Sequence, residues 1–357
     1  MGQRLAKQPL QRILSALINR IIESTAEFIC HMKSNLLQLV VVIVLLVSPA
    51  GLVFGIEPLQ EKLDDFKVIF LGTGTPVSGP KQFGASILVE VGGRSYVFDC
   101  GRGCGIRLQQ VYGVSRFHRA DTLFFTHLHS DHTVGTPEMY LNGWTQGRAK
   151  PFRVFGPTRT KEMMQHMRLA FAPDIDIRRI EEFALATPER MPGAEVVAHD
   201  IVEGKVLEEG GVTITAFLVD HQHVKPAYGF RVDYQGRSVV ISGDTTYSEN
   251  LIKYAQGADL LIHEVMSPAL IRALHRRFSQ QDQVNFIVGI HTTVPDVVRV
   301  FNKVKPKLAV YYHTNNSKET SQELLDETAK GYKGRVAVSH DMMQININRE
   351  VVIAATP

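Results

Sequence analysis

Residues 126–135 read Thr126-His-Leu-His-Ser-Asp-His-Thr-Val-Gly135, and this stretch decides the fold. It places three imidazoles and one carboxylate within six positions, as His127, His129, Asp131 and His132. The apolar stretch Thr122-Leu-Phe-Phe-Thr126 before it predicts a strand. Because side chains alternate along a strand, His127 and His129 would point to the same side, and the other two would come round from the turn. Such nitrogen and oxygen donors at a strand end suit a borderline metal ion such as zinc.

From Phe66 onward the chain alternates strand-like and helix-like segments. Short β-branched or aromatic stretches predict strands at Lys67–Leu71, Ser86–Val91, Ser95–Asp99, Thr122–Thr126, Phe152–Phe155, Val212–Val219, Tyr228–Tyr234, Ser238–Ser242, Asp259–His263, Leu308–His313, Val336–Ser339 and Met343–Ile347. Amphipathic stretches predict helices at Gly105–Tyr112, Pro137–Gln146, Arg159–Ala170, Ser248–Gln256, Pro295–Lys303 and Lys318–Lys330.

The order of these segments predicts the fold class. Gly92-Gly93 and Gln235-Gly236 are typical of hairpin turns. Hairpins come first, helices follow, and the pattern recurs after residue 205. Two β-rich halves stacked face to face, with helices outside, predict an α/β fold, a four-layer αββα sandwich.

The first 55 residues differ from the rest of the chain. Leu36–Ile56 is almost wholly apolar and follows Met32-Lys33. A basic flank, an apolar core and small residues at Ser48, Ala50 and Gly55 are typical of an export signal. An uncleaved membrane anchor is the alternative, since about 20 apolar residues span a bilayer. A true start at Met32 is also compatible with the sequence. We therefore predict a leader in residues 1–55, a hydrolase domain in residues 56–357 and a periplasmic or secreted location.

The charge of the chain argues against a strong nucleic-acid binder. Residues 1–55 carry five Lys/Arg and two Asp/Glu, and the remaining chain carries 34 of each. A nucleic-acid binder normally shows a basic surplus or stripe. Nucleic acid is therefore an unlikely partner, although a local basic patch stays open, and a homodimer is compatible with the sequence.

The chain has three cysteines, too few for a disulfide framework. Cys100 and Cys104 are close enough in sequence to pair in an oxidising compartment. Nothing in their spacing demands it, and the pattern favours two small buried thiols.

Further metal donors follow apolar strands in the second half of the chain. Asp244 follows the strand that ends near Ile241, and His313 ends the strand that begins at Leu308. Between them and the first motif lies Asp220-His-Gln-His223. Strand ends at one rim of a sandwich would bring these groups to one site.

These motifs together resemble the metallo-β-lactamase superfamily, in its ribonuclease Z and arylsulfatase-like branch. The matching motifs are Leu71-Gly-Thr-Gly-Thr-Pro76, Phe98-Asp-Cys-Gly101, the HxHxDH block, Phe155-Gly-Pro157, His223 with Tyr228-Gly-Phe-Arg231, Ser242-Gly-Asp-Thr245, His291-Thr-Thr293 and His313. They occur in order across residues 67–313. The HxHxDH block followed by Gly-Asp-Thr and a strand-end histidine is the specific part of the pattern.

The resemblance implies two metal sites, with two zinc ions, or manganese or iron, as the cofactors. His127, His129 and His223 would hold one ion; Asp131, His132 and His313 would hold the other; Asp244 would bridge them. His223 is preferred to His221 because it lies six residues before Gly229, as in the family pattern. Asp99 would orient a ligand histidine.

The resemblance also implies the catalytic groups. Water activated between two metal ions would attack the substrate, which gives Asp131 a catalytic as well as a ligand role. His291 would help the leaving group as an acid, and capping of the following helix is the alternative. Glu264 would support His291 or pair with an arginine.

The predicted substrate is a small phosphodiester or sulfate ester, and the alternatives are transfer-RNA 3′ processing and lactone hydrolysis. Ribonuclease Z carries a glycine- and lysine-rich arm after the Gly-Pro motif, whereas residues 158–195 here hold six Lys/Arg against seven Asp/Glu. We treat residues 158–205 as an inserted cap. Its apolar stripe, which begins at Met163 and Met164, either packs onto the body or forms a lid.

Overall fold

The computed structural model describes residues 66–76, 79, 81–315, 317–348 and 350–354. All of them belong to one compact unit, Lys62–Pro357. The predicted leader lies outside the described residues, and so do the export and anchor interpretations that depend on it. Within the described residues, no helix is both long and apolar enough to cross a membrane.

Fifteen strands in the described residues form two sheets. They are β1 (Phe66–Gly72), β2 (Ser86–Val91), β3 (Arg94–Phe98), β4 (Thr122–Phe124), β5 (Phe152–Gly156), β6 (Val196–Asp200), β7 (Gly204–Glu209), β8 (Val212–His221), β9 (Val224–Tyr234), β10 (Arg237–Ile241), β11 (Leu260–Glu264), β12 (Leu308–Tyr312), β13 (Val336–Val338), β14 (Gln344–Ile347) and β15 (Val351–Ile353). One sheet has the order β15-β14-β1-β2-β3-β4-β5-β6 and the other β13-β12-β11-β10-β9-β8-β7.

The helices lie at Cys104–Arg116, Ser130–Thr133, Thr136–Thr145, Thr160–Ala170, Ala172–Ala184, Glu249–Tyr254, Pro268–Arg277, Gln281–Gly289, Val294–Val304 and Lys318–Ala329. Short 3-10 turns occur at Phe117–Arg119 and Pro188–Ala194. Each of the six predicted helices is present, with its bounds shifted by a few residues.

Three apolar clusters show how the layers stack. The largest cluster lies between the sheets and joins, for example, Phe70 and Phe98 of the first sheet to Phe230 and Val310 of the second. A second cluster packs helices against the outer face of the first sheet, including Trp144. A third packs helices against the outer face of the second sheet. The predicted four-layer αββα sandwich is confirmed.

Both predicted hairpins are also confirmed. The Gly92-Gly93 turn joins β2 to β3, with Val91 paired to Arg94. The Gln235-Gly236 turn joins β9 to β10, with Tyr234 paired to Arg237. Cys100 and Cys104 are the two cysteines among the described residues, and both are buried free thiols. The prediction of two small buried thiols is therefore confirmed.

The segment after Pro157 packs on the body and does not form a lid over the strand ends. Met163, Met164, Met167 and Ile175 pack against the second cluster. By contrast, Ile180 and Phe183 are 72% and 74% exposed. The apolar stripe therefore divides into a buried face and a solvent-facing face, and the packing alternative is correct.

Candidate metal centre

The predicted donors follow strands whose ends lie at one rim of the sandwich. In the second sheet, β10, β11 and β12 run parallel, so Asp244, Glu264 and His313 leave the same edge. In the first sheet, β4 runs parallel to β3 and β5 and leads into His127. Parallel strands present their carboxyl ends together, which is where open α/β sheets build sites.

Gly243 lets the second sheet approach the first at this rim. Its φ is 62°, and a Cβ there would lie 2.6 Å from the Tyr228 carbonyl oxygen and 2.9 Å from Thr126 Cβ. Only glycine adopts that backbone conformation without cost and leaves room for both contacts. The Ser-Gly-Asp sequence thereby brings the carboxylate of Asp244 against the histidine motif.

Three histidines form the first part of the centre. Ligand nitrogens of His127, His129 and His221 all lie within 4.8 Å of one another. His127 Nε2 is 2.9 Å from His129 Nδ1. The rings of His127 and His221 are 5.0 Å apart, centroid to centroid. Two histidines come from the motif and the third from the end of β8.

The third histidine of this group is His221, which corrects the prediction of His223. β8 continues through His221, whose side chain is 1% exposed. The chain then turns at Gln222, where φ is 52°, and β9 begins one residue after His223. His223 is exposed, and its ring stacks on Phe286 with a 5.5 Å centroid separation. The hairpin turn therefore carries His223 away from the other donors.

Asp131, His132 and His313 form the second part. His313 Nε2 lies 3.1 Å from Asp131 Oδ2. His132 Nε2 lies 3.6 Å from the same carboxylate oxygen. Asp131 and His132 sit on the one-turn helix Ser130–Thr133, and His313 follows β12.

Asp244 lies between the two parts. One of its oxygens, Oδ2, is 3.5 Å from His132 Nε2 and 3.9 Å from His127 Nε2. The other, Oδ1, is 3.6 Å from His313 Nδ1. This carboxylate thus faces a histidine of the first part and two of the second, the position that the resemblance implies for a bridging ligand.

Burial and charge set the protonation of these groups. Burial is the main cause that lowers the pKa of His127 and of His129, which keeps both rings neutral and their lone pairs available. Burial opposes the charged form of Asp244 as well, but the neighbouring His313 and His132 outweigh it and hold the pKa of this carboxyl well below its usual range. His127 and His129 are therefore neutral beside ionised carboxylates, as ligands of a divalent metal must be. Burial alone would lower the pKa of His132, but the Asp244, Asp99 and Asp131 carboxylates outweigh it and raise this pKa well above its usual range, so a metal ion that binds His132 displaces a proton.

Unsatisfied buried atoms show that this donor set fits a metal. His132 Nε2, His221 Nε2 and Asp244 Oδ1 are buried without a hydrogen-bond partner among the described residues. A buried polar atom without a partner costs about 1–3 kcal/mol. Three such atoms facing one space are explained by divalent ions that bind them, and the mixed nitrogen and oxygen set suits zinc.

Asp99 orients His132, one of the predicted metal ligands. Its Oδ2 accepts a hydrogen bond from His132 Nδ1 at 2.8 Å and one from the Thr126 hydroxyl at 2.9 Å. Its Oδ1 accepts one from the Thr126 backbone N–H at 2.8 Å. This carboxylate fixes the ring so that His132 Nε2 faces the site, as expected of an orienting residue.

We expect Asp99→Asn to lower the affinity for zinc by about 10–100-fold, the usual cost of losing such an orienting carboxylate. Competition with a coloured chelator measures the affinity. Asp296→Asn, which changes a surface carboxylate paired with Arg299, is the matched control and should bind zinc normally. Equal zinc affinity in both variants would remove the orienting role of Asp99.

His291 lies beside the centre and is held by Glu264. Its Nδ1 is 3.1 Å from Glu264 Oε1 and 3.9 Å from Asp244 Oδ2. Burial alone would lower the pKa of His291, but the Glu264 carboxylate outweighs it and raises this pKa to about 9. Thr293, and not His291, is the N-cap of the helix Val294–Val304. The capping alternative is therefore wrong.

Glu264 is a positioning residue, and its sequence context left two roles open, support of His291 or pairing with an arginine. It is 1% exposed. Besides His291, its Oε1 accepts the backbone N–H groups of Thr245 and Thr292, each at 3.1 Å. The structure therefore selects support of His291 over pairing with an arginine. The sequence signal was its place at the end of an apolar strand, directly after His263.

The centre opens into a cavity of about 420 Å³. On one side this cavity is lined by His129, Asp131, Asp244, His291 and His313. Thr75 and Pro76 line it as well, so the Leu71–Pro76 motif does reach the site. A volume of this size is typical of a pocket for a small molecule.

An αββα sandwich with this His/Asp centre behind an HxHxDH motif defines a metal-dependent hydrolase of the metallo-β-lactamase superfamily, in its ribonuclease Z-like branch. It acts on phosphodiester or ester bonds. Within that class, the chain belongs to the family described as Anti-Pycsar protein Apyc1, whose sequence profile matches residues 66–330.

Individual relatives agree with this assignment. The chain is 31% identical to the ribonuclease Z of Mycobacterium bovis BCG over 287 residues, which cover 79% of this chain and 98% of that protein. Its structure resembles the metallo-β-lactamase fold protein YhfI from Bacillus subtilis, with a TM-score of 0.57 at 18% identity over 78% of this chain and 98% of that one. It also resembles the short form of human tRNase Z, with a TM-score of 0.55 at 20% identity over 79% and 98% of the two chains.

Proposed function

We propose that this hydrolase cleaves small phosphodiesters with two zinc ions. The observation that best supports this proposal is that Asp244 lies between two groups of three metal donors and lines a small cavity. His127, His129 and His221 would hold one ion, and Asp131, His132 and His313 the other. When bound, two such ions supply a strongly acidified water and neutralise charge on a phosphoryl oxygen. Manganese and iron are the alternatives for the same donors.

The protein's own residues supply the rest of the reaction. Asp99 holds the His132 ring through a 2.8 Å hydrogen bond to Nδ1. His291 stands beside Asp244 with its Nδ1 bonded to Glu264, which leaves Nε2 as the nitrogen free to hold a proton for the leaving oxygen. Water adds to phosphorus and gives up one proton to solvent, the P–O bond to the leaving group breaks, and that oxygen takes the proton from His291. A proton from solvent then restores His291.

We expect His291→Ala to lower kcat by about 10²–10⁴-fold on a phosphodiester with an alkoxide leaving group, the usual contribution of a general acid. The loss should be much smaller for a p-nitrophenolate leaving group, which departs without a proton. His340→Ala is the control, because His340 is exposed and its ring hydrogen-bonds the neighbouring Asp341 backbone carbonyl. Equal losses on both leaving groups at normal zinc content would contradict the acid role.

The segment after Pro157 supports a small substrate. Ribonuclease Z carries a glycine- and lysine-rich arm at this place, and such a basic arm would bind a polyanion. Residues 158–195 of this chain instead hold six Lys/Arg against seven Asp/Glu. Several of these charges pair with each other, as Arg178 does with Asp174 and Arg190 with Glu182. A balanced and internally paired surface gains little from counterion release on a phosphate backbone.

Transfer-RNA 3′ processing is the second candidate. The observation in its favour is the 31% identity to a ribonuclease Z that this chain matches over nearly its full length. Transfer RNA would bring its own scissile phosphodiester to the same centre, so the chemistry alone does not separate the two candidates. The two candidates differ in whether the protein also binds RNA on its surface outside the cavity.

A turnover panel tests the proposal. Zinc-loaded full-length protein is assayed with bis-p-nitrophenyl phosphate, p-nitrophenyl sulfate, an acyl-homoserine lactone and a 3′-extended pre-transfer RNA. We expect cleavage of the phosphodiester and an intact RNA. Specific cutting of the RNA at its 3′ extension would replace the proposal with ribonuclease Z activity. A preference for the sulfate or the lactone would retain the hydrolase and change its substrate class.

We further propose that the protein acts outside the cytoplasm. The support is the basic flank and apolar run of residues 32–56. Expression of the full chain fused to alkaline phosphatase, which is active only after export, tests this. Loss of phosphatase activity when Val40–Val42 are replaced by charged residues is the expected result. An inactive fusion in the unaltered chain would contradict export.

A further inference from the structure

One carboxylate from the turn between β13 and β14 holds two residues that follow β1. It belongs to Asp341, whose side chain is 8% exposed. Its Oδ1 accepts the backbone N–H of Thr73 at 3.0 Å and the Thr73 hydroxyl at 2.9 Å. Its Oδ2 accepts the backbone N–H of Phe83 at 2.8 Å and Nη2 of Arg107 at 3.1 Å. Each oxygen of this carboxylate therefore accepts two hydrogen bonds.

Arg107 strengthens this arrangement. It lies on the helix Cys104–Arg116, and its guanidinium carbon is 4.5 Å from the centre of the Phe83 ring. The same guanidinium forms an ion pair with Asp341. Hydrogen bonds to a carboxylate are charge-assisted, and they are stronger than those that a neutral amide would accept at the same place. The arrangement therefore depends on the charge of Asp341 as well as on its shape.

The residues that Asp341 holds are bonded in turn to Thr314, which follows the predicted metal ligand His313. The Thr314 backbone N–H donates to the Thr73 carbonyl oxygen at 3.2 Å. The Thr314 carbonyl oxygen accepts Nε2 of Gln82 at 2.7 Å, and this amide also lies 3.1 Å from the Thr73 hydroxyl oxygen. Both backbone polar groups of Thr314 are thus bonded to residues beside the carboxylate.

The backbone of His313 is the part of the metal centre that needs this support. Its φ is 53°, in the left-handed region that a residue with a Cβ adopts only at a cost in free energy. Such a conformation persists where the surrounding contacts fix it. It turns the chain at the end of β12 and leaves His313 Nε2 3.1 Å from Asp131 Oδ2. The hydrogen bonds of Thr314 fix the peptide that follows this turn.

We propose that Asp341 is a positioning residue of the metal centre, which acts on the His313 ring through Thr73, Gln82 and Thr314. This inference rests on the proposed two-zinc centre. It predicts a selective effect, because His313 belongs to the second part of the centre only. The zinc ion of the second part should depend on Asp341, and the ion held by the three histidines of the first part should not.

Asp341→Asn tests the inference on the full-length protein. Asparagine has the same size, but its NH₂ group would face two donors on one side of the carboxylate site, so those bonds are lost. We expect the affinity for one of the two zinc ions to fall about 10-fold, as when an outer partner of a metal ligand is lost. The other ion should bind normally. Titration with zinc against a coloured chelator measures both affinities without any substrate.

Hydrogen exchange gives a second readout of the same variant. The Thr73 and Phe83 amides lose their acceptor or its charge, and the Thr314 amide loses the support of Thr73. Mass spectrometry of peptic fragments should therefore show faster exchange in the fragments that contain these three amides. Exchange elsewhere in the domain should stay unchanged, which separates a local effect from a general loss of stability.

Gln82→Met breaks the connection at a later point and leaves Asp341 intact. Gln82 is half-buried, and methionine has a similar length without the donating amide. We expect the same zinc ion to bind about 3–10-fold more weakly, the usual effect of one hydrogen bond. Asp174→Asn is the matched control, because this exposed carboxylate also pairs with an arginine, Arg178. It should keep both zinc affinities.

The outcomes separate this inference from the proposed activity. Normal affinity for both ions in Asp341→Asn and Gln82→Met would overturn the positioning role. Equal weakening of both ions, with faster exchange throughout the domain, would overturn it as well and make Asp341 a residue of general stability. An unaltered protein that binds two zinc ions but leaves bis-p-nitrophenyl phosphate intact would overturn the phosphodiesterase activity alone. An unaltered protein that binds a single ion would overturn the two-zinc centre and this inference with it.

Discussion

His221→Ala is expected to lose one zinc ion and most of the hydrolytic activity. His221 Nε2 is buried without a hydrogen-bond partner among the described residues and lies with His127 and His129. Removing it leaves that group with two of its three imidazoles. The fall in kcat/KM should exceed the roughly 10–100-fold cost of losing an outer orienting group. Metal content by mass spectrometry and turnover of bis-p-nitrophenyl phosphate measure the two effects.

His223→Ala is the control two residues away. Its ring is exposed and stacks on Phe286. We expect this variant to keep two zinc ions and nearly normal turnover. The reverse pattern, with His223→Ala inactive and His221→Ala normal, would restore the sequence-based choice of His223 and show that the β8–β9 turn differs from the one described.

The comparison of these two histidines shows why the sequence alone did not separate them. Side chains two apart lie on the same face of a strand, so period two places His221 and His223 equally well. What separates them is the residue at which β8 ends. The turn at Gln222 adopts φ of 52°, and this conformation depends on how the hairpin packs at the rim. The spacing between His223 and Gly229 was therefore not sufficient to predict the residue at which β8 ends.

The HxHxDH motif was predictable because its geometry is local. His127, His129, Asp131 and His132 follow one short strand and share one turn, so six residues contain most of what positions them. Asp244 and His313 were predictable for a similar reason, since each follows a clearly apolar buried strand. Strand-end position is a property that a sequence pattern carries well.

The helices Pro268–Arg277 and Gln281–Gly289 were missed although one of them has a clear start. Ser267 caps the first helix by accepting the Leu270 N–H at 3.2 Å, and Pro268 follows at the first helical position. The apolar residues of this pair pack into a small cluster of their own. The periodic signal of the first helix is nevertheless as clear as that of most helices that were predicted, so its sequence was sufficient to indicate it.

Two of the edge strands, β6 and β7, were missed because they carry little apolar surface. β6 has only partly buried or exposed residues, and so has β7. A strand at the edge of a sheet pairs on one side only and needs little apolar surface. Its residues therefore lack the clean alternation by which a half-buried strand is recognised. Their assignment required the partner strands, β5 for β6 and β8 for β7.

Phe124→Ala is expected to cause the largest loss of stability. Phe124 is fully buried between the sheets and stacks on Phe98 and Phe155, each with a 5.0 Å centroid separation. It also meets Phe230 of the opposite sheet edge-on at 5.5 Å. Truncation removes these contacts and leaves a cavity in close-packed surroundings, so the free energy of unfolding should fall by about 3–5 kcal/mol. Urea unfolding followed by circular dichroism measures it.

Phe183→Ala is the matched control, because Phe183 is 74% exposed and its loss should change the free energy of unfolding by less than about 0.5 kcal/mol. A loss below about 1 kcal/mol for Phe124→Ala would mean that the neighbouring rings collapse into the space. The expected defect also extends to the site, because β4 ends at Phe124 and the metal motif begins three residues later. Since the sheet packing that holds Phe124 also holds the start of that motif, we expect this variant to bind zinc more weakly than Phe183→Ala does, which titration with a chelator measures.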